Sequence, residues 1–374
     1  MKRTSGFARR AAVGAAAALS LLAAGCGATT TGGEAEGGDS SVEEGFRVGL
    51  LLPESKTARY EKFDKPYFEE ALTDLCPECE LSYQNADQES SKQQSQAEAM
   101  LTEGIDVMVL DAVDSEAAAQ IVNQAKGQGV PVVAYDRLAE GGVDYYVSFD
   151  NHRVGEVQGE ALLQALEEEG TADDGQIVMI NGSPTDPNAA DFKAGAHEIL
   201  DGQVEIGAEY DTPDWSPDRA QTQMDQAITS VGADEIVGVY SANDGMAAGV
   251  IAALKGAGVD ELPPVTGQDA EIAGIQRVIA GEQYMTVYKA IRPEAQTAAE
   301  MAVAAATGEE YDGGEAGLTE VEDGGGNMIP SVLIDPVAVT EENIEDTVVS
   351  DGFYTIEEIC TDAYADTDFC TEAG

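Results

Sequence analysis

This sequence predicts an α/β fold of about two domains, each a doubly wound parallel sheet, and three features carry that expectation. From Phe46 onward, strand-length apolar runs alternate with helix-length amphipathic segments, the pattern of parallel strands joined by right-handed helical crossovers. The 374 residues exceed what one hydrophobic core holds. The apolar runs also stop abruptly in polar clusters, at VVAYDR, IVMINGSPTDPN, the loop of the lone Trp215, VGVYSAND, PVTGQDAE and MTVYK. Buried parallel strands read as short apolar runs, and open α/β sheets bind ligands beyond the carboxyl ends of their strands. The polar set at those ends is Asp136, Arg137, Asp186, Asn188, Asn243, Asp269 and Lys289. Carboxylates, amides and cations beside one indole, without a nucleophile or metal cluster, suit a sugar.

The elements follow in order. Lys2, Arg3, Arg9 and Arg10 form a basic region before an apolar stretch, Ala11 to Leu22, too short to span a membrane. This is an export signal, and its end, Ala23-Ala24-Gly25-Cys26, resembles the lipobox of bacterial lipoproteins, which implies a signal peptide over 1–25 and a lipid anchor on Cys26. Residues 26–45, rich in Gly, Thr, Ser and Glu, read as a flexible tether. The expected units are then strand 47–52, helix 60–75, strand 80–84, helix 91–103, strand 107–110, helix 115–127, strand 130–135 and a short strand 145–148. A helix from Val154 follows, and the alternation resumes with strand 177–180, helix 191–200, strand 203–210, helix 217–230, strand 236–240, helix 246–257 and strand 265–266. Gly104 and Gly129 suit left-handed positions after helices, while Ser115 and Asp244 suit N-caps.

Charge and cysteines narrow the function. Without the four cations of the leader, 15 Lys and Arg face 71 Asp and Glu, a net charge of −56. Such a surface repels nucleic acid and anionic lipid. Apart from Cys26, four cysteines form two close pairs, Cys76 with Cys79 and Cys360 with Cys370. In an exported chain these read as structural disulfides rather than a redox motif or half a zinc site, because no second CxxC or His pair completes a metal set. His152 and His197 read as surface or capping groups, with no His, Cys or carboxylate at ligand spacing. The first strand-to-helix loop reads PESKTARYEKF, neither a GxGxxG nor a Walker loop, so no nucleotide cofactor is expected.

Taken together and in order, ARYEKF, NQAKGQGVPVVAYDR, YYVSFDNHRVGEVQG, GSPTDPNAADFKAG, YSANDGMAAGVIAAL, GQDAEIAGIQRVIAGEQYMTVYK and the AAEMAV helix resemble the periplasmic sugar-binding proteins of ABC importers, type I fold, and most closely their xylose-binding subfamily. The resemblance covers Phe46 to about Pro336. It implies two Rossmann-like lobes joined by a three-segment hinge: residues 46–150 and 289–325 in the N-terminal lobe, 151–288 and 326–349 in the C-terminal lobe, and an acidic, disulfide-bearing tail over 350–374. It places ligand contacts on Arg59, Tyr60, Asp136, Arg137, Asp186, Asn188, Trp215, Asn243, Asp269 and Lys289. Tyr60 stands where the subfamily has a larger aromatic, and the stretch at Ser55-Lys56-Thr57 also departs from it. The implied partners are a monosaccharide, xylose or another pentose or hexose, and the membrane subunits of the importer, with the protein itself a monomer.

The residue chemistry agrees. Each pyranose hydroxyl both donates and accepts, so a tight site combines acceptor carboxylates, donor Arg and Lys, and amides. The sugar's C–H face suits an aromatic ring, and Trp215 lies in a loop rather than on an amphipathic helix. A glycoside-processing carboxylate pair at Asp136 and Asp186 is disfavoured, because Arg137 lowers a carboxyl pKa that an acid catalyst needs raised. A LacI-type regulator needs an N-terminal helix-turn-helix where this chain has an export signal. A receptor feeding a chemotaxis or two-component sensor binds sugar identically, and the sequence does not separate it from transport.

Overall fold

The computed structural model of the chain describes residues 40–314 and 316–372. The expected export signal, the expected lipid site at Cys26 and most of the expected tether therefore lie outside the described residues. The end of the tether is not free: a turn over 41–45 lays Val42 against the first core, so the body starts before Phe46.

The first lobe runs through β1 (Arg47–Leu52), a single π-turn (Tyr60–Asp64) leading into α1 (Lys65–Leu75), β2 (Glu80–Asn85), α2 (Ser90–Glu103), β3 (Val107–Leu110), α3 (Ser115–Gly127), β4 (Val132–Tyr135) and β5 (Tyr145–Phe149). All these strands are parallel, in the order β2-β1-β3-β4-β5. β3 and β4 are buried along their whole length, which is why VMVL and VVAY read as continuous apolar runs rather than alternating ones. Since β1 lies between β2 and β3, the strand order reverses there, and a crevice opens beyond the carboxyl ends of β1 and β3.

Asp150 starts the first crossing. Its carboxylate accepts from the Arg153 amide and caps α4 (Asn151–Glu169). The second lobe continues with β6 (Gln176–Asn181), α5 (Pro187–Leu200), β7 (Glu205–Asp211), α6 (Pro217–Val231), β8 (Ile236–Ser241), α7 (Asp244–Gly256), α8 (Ile272–Ile279) and β9 (Thr286–Tyr288). Its parallel sheet has the order β7-β6-β8, extended by a bridge from Val239 to Val265. α4 and α5 cross at glycines. A Cβ on Gly155 would lie 2.0 Å from the Phe192 carbonyl oxygen, and one on Gly195 would lie 2.0 Å from that of His152.

The return path corrects one expected boundary. After α9 (Ile291–Thr307), which packs on α1 and the first sheet, β10 (Thr319–Glu322) and β11 (Met328–Ile334) join that same sheet, β11 parallel to β5. Residues 326–334 thus complete the first lobe rather than the second. β11 buries Ile329, Ser331 and Val332 and covers a β5 edge that would otherwise be open. The chain re-enters the second lobe only with β12 (Val337–Val339), antiparallel to β9. The three crossings fall at residues 149–151, 288–291 and 334–337.

The segment expected as an acidic tail is also corrected. With α10 (Ile356–Ile359) and α11 (Asp368–Glu372) it folds onto the body and buries Phe353, Tyr354, Ile359 and Phe369. Disulfides join Cys76 to Cys79 and Cys360 to Cys370. Gly104 and Gly129 take the left-handed conformation, with φ of 81° and 78°. The N-caps lie one residue before the expected ones: Asp114 and Asn243, not Ser115 and Asp244, accept from the Ala117 and Met246 amides.

Candidate functional site

All ten residues expected at the ligand site line one cavity between the lobes. Local structure explains their convergence. Asp136 and Arg137 follow the last residue of β4, and Asp186 and Asn188 open α5. Asn243 caps α7, and Asp269 and Lys289 flank the second-lobe strands at the hinge. Asp136, Trp215 and Asp269 have φ of 57°, 51° and 84°, a left-handed backbone that costs these residue types energy and clusters at binding sites.

The first-lobe wall is a buried charge network. The Arg59 guanidinium grips Asp64 at 2.6 and 3.0 Å, and also donates to Glu294 at 2.7 Å and Asp136 at 3.3 Å. The Tyr60 hydroxyl donates to Asp136 at 3.1 Å and accepts from Arg137 at 3.1 Å. On the second-lobe wall, Asp186 accepts from the Asn188 amide and from the Trp215 indole, each at 3.0 Å. Trp215 has a double part: it belongs to the second-lobe core, edge-on to Phe192 at 6.3 Å, and it lines the cavity. Lys289 pairs with Asp269 at 3.0 Å.

The lobes are closed. Arg137 reaches across to Asp186 at 2.9 Å, Asn188 donates to the Asp136 carbonyl at 3.0 Å, and the Ala58 amide donates to Glu271 at 3.3 Å. What remains between the walls is a cavity of about 20 Å³, room for about one water. Any ligand larger than a water therefore enters only as the lobes part. An open groove of about 620 Å³ adjoins the site and shares Asp186 and Asn188 with it.

Three cations, Arg59, Arg137 and Lys289, serve six buried carboxyls: Asp64, Asp111, Asp136, Asp186, Asp269 and Glu294. Carboxyls outnumber cations, and their protonation splits accordingly. Burial pushes Asp136 up, but Arg59, Lys289 and Arg137 outweigh it and hold the group below the usual range. Burial prevails at Asp111, Asp186 and Glu294, each raised in spite of its arginine. Burial outweighs Arg137 at Asp186, so the expected lowering of a carboxyl by Arg137, the reason against a glycoside-processing pair, holds at Asp136 and is corrected at Asp186.

Three further lining residues, Thr57, Phe192 and Gln268, lie outside the expected set. Phe192 falls within the GSPTDPNAADFKAG run and Gln268 beside Asp269, so proximity was the available signal; Thr57 falls in the stretch that departs from the xylose subfamily. Both histidines are on the surface, but both do have carboxylates in reach: His197 lies 2.9 Å from Asp201 and 3.3 Å from Glu209, and His152 meets two glutamates. Its Nε2 lies 3.1 Å from Glu198 and 3.6 Å from Glu156, which Arg153 also holds at 2.8 Å. These groups form an exposed ion-pair cluster.

Comparison with known proteins places this geometry. A model of the periplasmic binding protein domain matches residues 48–310. The D-xylose-binding periplasmic protein of Escherichia coli K12 is 34% identical over 84% of this chain and 92% of its own length. The multiple sugar-binding periplasmic receptor of Rhizobium radiobacter is 33% identical over 83% of this chain and 92% of its own. An ABC transporter solute-binding protein from Clostridium phytofermentans, solved with bound β-D-glucose, superposes with a TM-score of 0.76 at 31% identity, covering 84% of this chain and 99% of that one.

Proposed function

The chain belongs to the periplasmic binding protein family, and from that premise we propose that it is a receptor, not an enzyme, which captures a monosaccharide between its lobes and presents it to an ABC importer. We favour a pyranose, with D-xylose the leading candidate, as named for relatives at 34% and 33% identity. The observation that carries this reading is the composition of the buried cavity. Donors from Arg59, Arg137 and Lys289, acceptors from Asp136, Asp186 and Asp269, amides from Asn188, Asn243 and Gln268, and the rings of Tyr60, Phe192 and Trp215 meet in one space. Hydroxyls that both donate and accept match such a set, and ring C–H groups match the aromatic faces.

The mechanism follows from which wall holds which group. Arg59, Tyr60, Asp136 and Arg137 come from the first lobe; Asp186, Asn188, Trp215, Asn243 and Asp269 come from the second. A ligand touching both favours closure by its differential affinity for the closed state. Hydrogen bonds to charged partners contribute about 1.5 to 3 kcal/mol each, so a few of them reach micromolar affinity at about 8 kcal/mol. The importer's membrane subunits would read the closed form. We further assign the Ala23-Ala24-Gly25-Cys26 sequence to lipid attachment on the outer face of the cytoplasmic membrane; Cys26→Ser should release the protein into the medium.

Thermal-shift screening against about twenty monosaccharides tests the function. A true ligand at a hundred times its Kd adds about 2.7 kcal/mol of stability. A flat screen across pentoses, hexoses and inositols would overturn the sugar reading.

A further inference from the structure

No role follows from the sequence for residues 350–374, and those of them that are described, 350–372, do not line the sugar cavity. Yet their buried side chains, Phe353, Tyr354, Ile359 and Phe369, form one apolar cluster with Phe63 of the first lobe and with Ile275, Val278 and Ile279 of α8 in the second. At the first-lobe end, the Phe63 ring stacks on Phe353 with centroids 4.0 Å apart, and Tyr354 meets it edge-on at 5.6 Å. Beside it, the Lys62 ammonium sits 4.4 Å above the Tyr354 ring and 3.6 Å from Glu358. At the second-lobe end, Gln276 of α8 donates to the Ile359 carbonyl at 3.1 Å. Tyr288, the residue before Lys289, donates to Asp351 at 3.0 Å. The Cys360–Cys370 disulfide closes the distal loop of the segment on itself.

The element gripped at the first-lobe end carries the sugar contacts. Lys62 and Phe63 belong to the five-residue π-turn that contains Tyr60 and is preceded by Arg59. A lone π-turn is an uncommon backbone, sustained by what surrounds it. Tyr60 and Arg59 face inward to Asp136, while Lys62 and Phe63 face outward to the C-terminal segment.

We propose that the C-terminal segment, residues 350–372, is a positioning clamp for the ligand site: it fastens the π-turn of the first lobe to α8 of the second and holds Tyr60 and Arg59 where the closed cleft needs them. Its purpose rests on the sugar-receptor reading, while its existence rests on the packing alone. Parting the lobes has to break either the Phe63–Phe353 face or the Gln276–Ile359 contact, so the clamp favours the closed state and slows ligand release.

Two measurements on the full chain test this. In the ligand-free protein, Phe353→Ala should raise hydrogen exchange of amides 60–65 about three- to tenfold, the worth of one aromatic pair, while amides of α2 and α3 stay unchanged. Lys62→Ala, a substitution on the surface, should raise the same amides by a smaller factor without threatening the fold. In the second measurement, D-xylose and D-glucose serve as probes and the only tryptophan as reporter. There Phe353→Ala should speed release about three- to tenfold and change association less. Unchanged exchange at 60–65 in both variants would overturn the clamp. So would an unchanged release rate in a variant whose exchange had risen. If neither sugar binds the parent protein, the choice of ligand fails while the exchange data still decide the clamp.

Discussion

Asp269 and Lys289 show how a residue serves the site and the fold at once. Their 3.0 Å pair is almost fully buried, so Asp269→Ala leaves an uncompensated ammonium and should cost about 3–5 kcal/mol of stability. Loss of binding in that variant would say little about ligand contact. Asp269→Asn keeps the shape and one acceptor; we expect it to lose most sugar affinity in a calorimetric titration while melting closer to the parent. Gly182 offers a cleaner probe of the indole. A Cβ there would lie 2.0 Å from the Trp215 ring, so Gly182→Ala should displace the ring, weaken binding about tenfold or more and cost about 1–3 kcal/mol through overpacking. An unchanged Kd would remove Trp215 from the site. Most of the lining residues were legible because a polar side chain that closes a buried apolar run stands at the carboxyl end of a strand, where open α/β sheets hold their ligands. Behind the lining, Asp111 closes the apolar run of β3 and fits the same rule, although the expected set omits it; Asp64 and Glu294 do not fit it: Glu294, in the first turn of α9, reads like any solvated glutamate favouring a helix N-terminus, and only its burial against Arg59 reveals it.

Among the elements, legibility tracks burial. β3 and β4 are plain from their apolar runs, and α4 and α5 are recognisable, but their glycine crossing is invisible in the sequence because Gly155 and Gly195 meet only in space. That crossing places Phe192 and the start of α5 at the hinge. Gly155→Ala should therefore lower the melting temperature through about 1–3 kcal/mol of strain, and a variant that melts like the parent would show that the helices can separate. β10 escapes detection for the opposite reason, and β11 although it is partly buried. Thr-Glu-Val-Glu in β10 is mostly exposed and carries no alternating apolar face. Only pairing with β5 identifies β11 as the strand completing the first sheet, which moves the third crossing to residues 334–337. The segment beyond Ser350 reads as a tail because its acidic residues mask four buried side chains spaced too irregularly for a periodic signal.

At the scale of the whole molecule, two effects tie stability to pH in the same direction, and salt separates them. The surface is crowded with carboxylates, so raising the pH adds like charge to a body already strongly negative, a repulsion that salt screens within about 3 Å at 1 M. Inside, Asp244 accepts from Gln283, Thr286 and the Glu271 amide, and burial pushes its pKa up to about 7. Glu271, largely desolvated and beside Asp244 and Asp269, is pushed up to about 8 while accepting across the lobes from Ala58. A carboxyl raised in the folded state gives its full support below its unfolded pKa and loses it as pH climbs through the folded value. These two groups therefore withdraw stability between about pH 4 and pH 8. The melting temperature should fall steeply over that window in dilute buffer and more gently in 1 M NaCl, where the surface share is screened. Glu271→Gln, which keeps an acceptor for the Ala58 amide, should flatten the slope that survives in salt. A residual slope identical to the parent's would mean that Glu271 is ionised in the closed molecule and that Ala58 binds a charge.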